Sequence, residues 1–257
     1  MAFVQLPEIR IHYLEEGAGP PLVWLPGGND SALLMRHAHR RLAARVRLIC
    51  MDPRGQGESD SRTEPEDYLP AAYAGDVLGL LDALGLERVV LGGHSRGGRT
   101  SMEVALRYPE RVVAVIAAAS PLLGYETGRI DGLRHNQLLL REQGVDAFLN
   151  GLNWGPRNPE RHAYWRAAAQ RAGADALIAQ YEALSRLPTL TTRLPDLQPP
   201  ALFLSGERDF MLEAARQAAA ATPNSRLIVI PDAGHALFAD QPDAYFRAFN
   251  AFLDEVL

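Results

Sequence analysis

The chain has 257 residues, 47% of them hydrophobic and 22% charged, which is enough apolar material for one large α/β domain, or one domain carrying an insertion, and argues against disorder. Twenty-six Lys and Arg against 31 Asp and Glu give a formal charge of -5, and the arginines stand singly on helix faces with no basic stripe, which argues against a nucleic-acid surface. A single cysteine, Cys50, excludes an internal disulfide framework, suits a reducing compartment and reads as a packed thiol at the end of an apolar run.

The opening Met1-Ala2-Phe3-Val4-Gln5 has neither a basic start nor an apolar h-region. No apolar stretch reaches the ~18 residues of a membrane span. The expectation is a cytoplasmic protein acting on a small-molecule substrate as a monomer or homodimer, with no membrane and no nucleic-acid partner.

Alternation over 3–5 and 9–14, turned at Leu6-Pro7, predicts an antiparallel hairpin. Short apolar runs then follow at 22–25, 46–51, 88–91, 112–117, 201–204 and 226–230. Helical patterns at 31–44, 70–84, 97–108, 212–221 and 241–256 separate them. Continuously apolar strands alternating with helices predict a mostly parallel sheet covered on both faces, an α/β fold. The interval 121–199 breaks this rhythm with several helical patterns, glycine punctuation and a proline-rich exit, and no strand. It reads as a helical lid inserted in a core formed by 1–120 and 200–257.

The stretch Gly93-His94-Ser95-Arg96-Gly97 follows an apolar strand and precedes a helix. It is the Gly-x-Ser-x-Gly pattern of a nucleophile at a strand-to-helix turn. There the serine backbone is strained, and the residues two before and two after come too close for a side chain. The helix behind aims its free N–H groups and positive end at the place where an oxyanion would form.

A serine hydroxyl needs a base. Of seven histidines, His235 lies in a loop after the run ending at Ile230, at the C-terminal end of a strand, where α/β sheets place their ligands. His12 falls in the hairpin; His37, His39, His135 and His162 fall in helical patterns, and His94 beside the serine reads as packing or as support behind the site. The acid that orients the imidazole is read as Asp209, after the strand 202–204, with Glu207 and Asp232 as turn or capping residues. Gly28, in Leu25-Pro26-Gly27-Gly28-Asn29, is the candidate second oxyanion donor beside the N–H of Arg96. The loop 52–60 reads as a brace for the site.

With these stretches in place the chain resembles the α/β-hydrolase fold superfamily over nearly its whole length. Members carry a His-Gly loop, an Asp-x-Arg-Gly-x-Gly-x-Ser loop, the serine elbow, a Gly-x-x-Asp acid loop and a Gly-His loop. Pro26-Gly27, 52–59, 93–97, 206–209 and Gly234-His235 match these in order, with Pro26 departing from the usual histidine. Within the superfamily the chain is most similar to small helical-lidded esterases, enol-lactone hydrolases and carbon–carbon bond hydrolases. Ser95-Arg96-Gly97-Gly98-Arg99 also resembles a lyase relative of menaquinone synthesis, which implies Arg99 as a contact for a substrate carboxylate. The plainer reading of Arg99 is a pairing with a surface acid.

Tyr125, Phe148, Trp154 and Trp165 are candidates to line an acyl pocket or simply to pack the lid. The sparse charge of 145–155 favours a partly apolar substrate. The expected function is therefore cleavage of a carboxylic ester or lactone by Ser95, His235 and Asp209 through an acyl-enzyme, with no cofactor and no metal. The same triad also serves carbon–carbon hydrolysis, lyase or cofactor-free perhydrolase chemistry, and a non-catalytic small-ligand receptor is the alternative from another class.

Overall fold

A computed structural model of the chain describes residues 2–28, 30–124, 127–151 and 159–257. The hairpin comes first, as strands β1 (Ala2–Gln5) and β2 (Arg10–Glu16). Then come β3 (Pro21–Leu25), α1 (Ala32–His39), β4 (Arg47–Met51), α2 (Pro70–Ala83), β5 (Val89–His94), α3 (Arg96–Arg107) and β6 (Val112–Ala118). Two long helices follow, α4 (Thr127–Gly151) and α5 (Pro159–Ser185), bent where Gly144 and Gly173 leave the helical region. The chain re-enters the sheet as β7 (Ala201–Gly206), then α6 (Leu212–Ala221), β8 (Ser225–Ile230), α7 (Leu237–Asp240) and α8 (Pro242–Val256).

The sheet order is β1-β2-β4-β3-β5-β6-β7-β8, antiparallel at β1-β2 and β2-β4 and parallel from β4 onward. Its central strands are continuously apolar because successive side chains enter two different cores. Val23, Leu25, Leu91, Val115 and Phe203 pack with Val77 and Leu80 of α2 and Met102 of α3. Leu22, Trp24, Val90, Ile116 and Leu204 pack with Met35 of α1 and Tyr245 and Phe249 of α8. This is the α/β-hydrolase fold. After β4 the chain crosses β3 to begin β5 on its other side, so the loops after β3 and β5 part at their C-terminal ends and leave a crevice there. No described helix is long and apolar enough to cross a membrane.

One buried group makes the second core sensitive to acid. His39 is fully buried against Trp24, its Nδ1 donating to the Met35 carbonyl at 3.0 Å and its Nε2 accepting from the Tyr245 hydroxyl at 2.9 Å. Burial lowers its pKa to about 3. Because the folded value lies below the unfolded one, this contribution is complete above pH 6.5 and is lost as pH falls toward 3, by about 1.4 kcal/mol per pH unit. Between pH 7.5 and 5.0, urea denaturation of the wild type should show a stability loss about 2 kcal/mol larger than that of His39→Gln. Equal losses would place the acid-labile group elsewhere.

Candidate active site

The serine elbow is built by a collision that only glycine avoids. Ser95 takes φ 51 and ψ -118 between β5 and α3, a conformation disfavoured for any residue with a side chain. Two hydrogen bonds hold it: Ser95 N donates to the Ala118 carbonyl at 2.7 Å, and Ser95 O accepts from Arg99 N at 3.1 Å. A Cβ on Gly93 would sit 2.7 Å from both Gly98 N and Leu25 O, and one on Gly97 would overlap the Leu25 carbonyl. The turn is thus pressed onto the end of β3, and Arg96 opens α3 with an N–H that has no intrahelical partner.

The loops after β7 and β8 carry Asp209 and His235. Asp209 is buried; its Oδ1 accepts from Met211 N at 3.1 Å and lies 3.0 Å from His235 Nδ1. The carboxylate fixes the tautomer: Nδ1 carries the proton and donates, which leaves Nε2 as the basic nitrogen. A Cβ on Gly206 would overlap the Ala233 and Gly234 carbonyls, so glycine there lets the acid and base loops touch. His94 joins the elbow to the loop that carries His235, its Nε2 donating to the His235 carbonyl at 2.8 Å. Phe210 stacks on the His235 ring, 4.6 Å between centroids at 22°.

Ser95 and His235 open into one cavity of about 270 Å³. Gly28 and Arg96 also line it, beside Asp30 and Gln56. Gln56 Nε2 donates to the Gly27 carbonyl at 2.7 Å, tying down the loop that carries Gly28. That loop's neighbour is itself anchored by buried Asp52, whose carboxylate accepts from Ala32 N, Glu58 N and His12 Nδ1. The stretch 52–60 is therefore a brace that also contributes wall.

The opposite wall comes from α4 and α5, through Arg129, Tyr164, Trp165, Gln180 and Tyr181. These helices are fastened over the brace: Arg171 donates to the Gly57 carbonyl at 2.8 Å and to Glu58, and Gln180 Nε2 to the Gly55 carbonyl at 3.1 Å. Burial holds the Tyr164 phenol up to about 12, so it stays protonated.

Among the described residues expected to line an acyl pocket, Trp165 does so. Phe148 is buried in the core between α4 and α5, edge-on to Trp165 and Tyr181. Arg99 also lies elsewhere: one turn beyond Ser95, it is buried and donates to the Pro121 carbonyl at 3.2 Å and to Glu103 at 3.0 Å. It is absent from the cavity's described lining; its acid partner is at i+4 on the same helix and is itself buried, where a surface acid is the plainer expectation. Tyr125 and Trp154 lie outside the described residues. Gln180, Tyr164 and Phe210 carry no motif, and Gln56 is an unspecified position within the 52–59 loop, since their place depends on how loops and helices meet across the sheet. No group of His, Cys, Asp and Glu suited to holding a metal ion occurs among the described residues.

Three comparisons bear on this geometry. The model of the alpha/beta hydrolase family matches residues 21–248. The chain is 29% identical to 2-(acetamidomethylene)succinate hydrolase of Mesorhizobium japonicum, across 98% of this chain and 94% of that protein. Its fold superposes on a thermophilic esterase from Thermogutta terrifontis with a TM-score of 0.81 at 26% identity, covering 99% of this chain and 97% of the other. The enol-lactonase from Burkholderia xenovorans superposes with a TM-score of 0.84 at 23% identity, covering 98% and 100%, a likeness of fold.

Proposed function

Because the chain belongs to the alpha/beta hydrolase family, we propose that it is a serine hydrolase that cleaves a carboxylic ester or lactone of a small, partly apolar substrate. The observation that carries this reading is the His235 imidazole, oriented by Asp209 at 3.0 Å so that its basic nitrogen is free, on a cavity it shares with Ser95. His235 takes the Ser95 proton as Oγ attacks the carbonyl carbon. The N–H groups of Arg96 and Gly28 hold the oxyanion. The tetrahedral species collapses as His235 protonates the departing alkoxide, and a water activated by the same imidazole then releases the acid. Helices α4 and α5 act as a lid, supplying the far wall of the cavity and excluding bulk water from it.

A fluorophosphonate separates this reading from a non-catalytic role. Wild type should lose its turnover of p-nitrophenyl esters in step with labelling, one phosphonyl group on Ser95 replacing fluoride, found by mass spectrometry of the peptide. The Ser95→Ala variant should take up none. Turnover that survives complete labelling, or a label on another residue, would overturn the assignment.

A further inference from the structure

Among the described residues, the cavity holds a buried cation that no carboxylate pairs. Three arginines of the described chain are buried: Arg54, Arg96 and Arg99, at 7%, 7% and 2% exposure. A buried charge is normally met by an opposite one, because removing it from water unpaired is costly. Two of the three follow the rule. Arg54 is clasped by the Asp76 carboxylate at 2.6 and 2.7 Å, and Arg99 is bound to Glu103 at 3.0 Å. Arg96 does not. Its guanidinium reaches only neutral acceptors, Gln180 Oε1 at 3.2 Å and Gly28 O at 3.5 Å, and lies 5.5 Å above the centre of the Tyr73 ring. Among the described residues it has no carboxylate within 4.0 Å. Among the described lining residues there is one acid, Asp30, and its Oδ2 is directed at His94 Nδ1, 3.9 Å away.

This guanidinium is also the one beside the chemistry. It stems from the residue after Ser95, whose backbone N–H is the proposed oxyanion donor, and its side chain lines the cavity. A second cation stands on the far wall, where Arg129 covers Phe210 with its guanidinium carbon 3.8 Å from the ring centre, the same ring that stacks on His235. Two arginines line the cavity, and its one acid among the described residues, Asp30, is turned to His94; together they form a site for an anion, and the planar fork of Arg96 fits a carboxylate.

We propose that the substrate brings the missing counter-charge: a carboxylate joined by a short spacer to the ester or lactone carbonyl, bound by Arg96 with Arg129 assisting. The carboxylate is a spectator, unchanged when the bond beside it is hydrolysed. The spacer must be short because one residue presents both the oxyanion donor and the guanidinium. This specificity rests on the serine-hydrolase reading above, and its test is arranged to fail separately.

The half-esters monoethyl succinate, glutarate and adipate are compared with their primary amides, which have nearly the same shape and no charge. For wild type, kcat/KM should favour at least one acid over its amide by about tenfold or more, chiefly through KM, and 0.5 M NaCl should reduce the ratio. In Arg96→Gln the ratio should fall to about one, and Arg96→Lys should restore part of it; Arg129→Gln should lower it by a smaller factor. Only ratios are read, since Arg96 belongs to the catalytic machinery and absolute rates in its variants can shift. Calorimetric titration of the free dicarboxylates into Ser95→Ala gives an arm independent of turnover: binding should be present there and absent in Ser95→Ala/Arg96→Gln. A wild-type ratio of one or less for all three spacers, or dicarboxylate binding that survives Arg96→Gln in a folded variant, would overturn the proposal while leaving the serine assignment standing. Binding that depends on Arg96 in a protein that hydrolyses no ester would do the reverse.

Discussion

Ser95→Ala is expected to lower kcat for p-nitrophenyl butyrate by about 10⁶-fold, close to the loss found when a serine nucleophile is removed from a working triad. What survives should be a small acceleration from the oxyanion donors and binding alone. The same residue makes a second, independent expectation about stability. Its backbone at φ 51 and ψ -118 is a conformation that alanine tolerates no better than serine and that glycine adopts without strain. Ser95→Gly should therefore be more stable than Ser95→Ala by about 1–2 kcal/mol, although glycine gives a more flexible unfolded chain. In a chain of this size that is a rise in Tm of a few degrees at most, read by scanning calorimetry. A strained backbone persists only where the surroundings over-determine it. Here those are the Ala118 carbonyl on Ser95 N and the β3 end packed against Gly93 and Gly97. Equal stability of the two variants would mean the turn is not strained.

These fixtures explain which parts of the molecule could be read from its sequence. The serine turn, the acid loop and the histidine loop are local: each is a strand end followed by glycine or a turn residue, and each announces itself within a handful of positions. The central strands were visible for the same reason, since doubly covered strands must be apolar throughout. Their ends were less so: the sequence reading stopped β5 at Leu91, whereas pairing with β6 runs on through Gly92, Gly93 and His94. Those glycines look like a loop in sequence but are required by close approach, a Cβ on Gly92 falling 2.6 Å from the Trp24 ring.

The two arginines of the elbow show the opposite case. Arg96 and Arg99 are three residues apart on one helix, and nothing in composition distinguishes them. Helix phase points Arg99 at Glu103 on the next turn and at the carbonyls of Pro121 and Leu122, while Arg96, at the first turn, faces the open end of the sheet. The same holds for the aromatic residues between β6 and β7. Phe148 is buried between α4 and α5 and Trp165 reaches the cavity, a division set by how the two bent helices pack and not by either residue's neighbours in sequence.

Asp209 gives the sharpest test of the proposed triad, because here the two obvious substitutions should not behave alike. Asp209 Oδ1 is the atom that both Met211 N and His235 Nδ1 approach, at 3.1 and 3.0 Å, while Oδ2 is buried with no hydrogen-bond partner among the described residues. An asparagine can place its oxygen at the Oδ1 position and its amide nitrogen at Oδ2, keeping both donors satisfied and the imidazole in the same tautomer. What it loses is the charge facing the imidazolium as that ion forms. A hydrogen bond to an ionised partner contributes about 1.5–3 kcal/mol, so Asp209→Asn should lower kcat by roughly 10- to 100-fold. Asp209→Ala removes the orientation as well and should lower kcat by about 10⁴-fold. The comparison is made at saturating p-nitrophenyl ester, with circular dichroism to show that both variants are folded. A loss for asparagine as large as that for alanine would mean that the amide turns its nitrogen toward His235 and forces the wrong tautomer, so that the Met211 N–H does not hold the oxygen at the Oδ1 position.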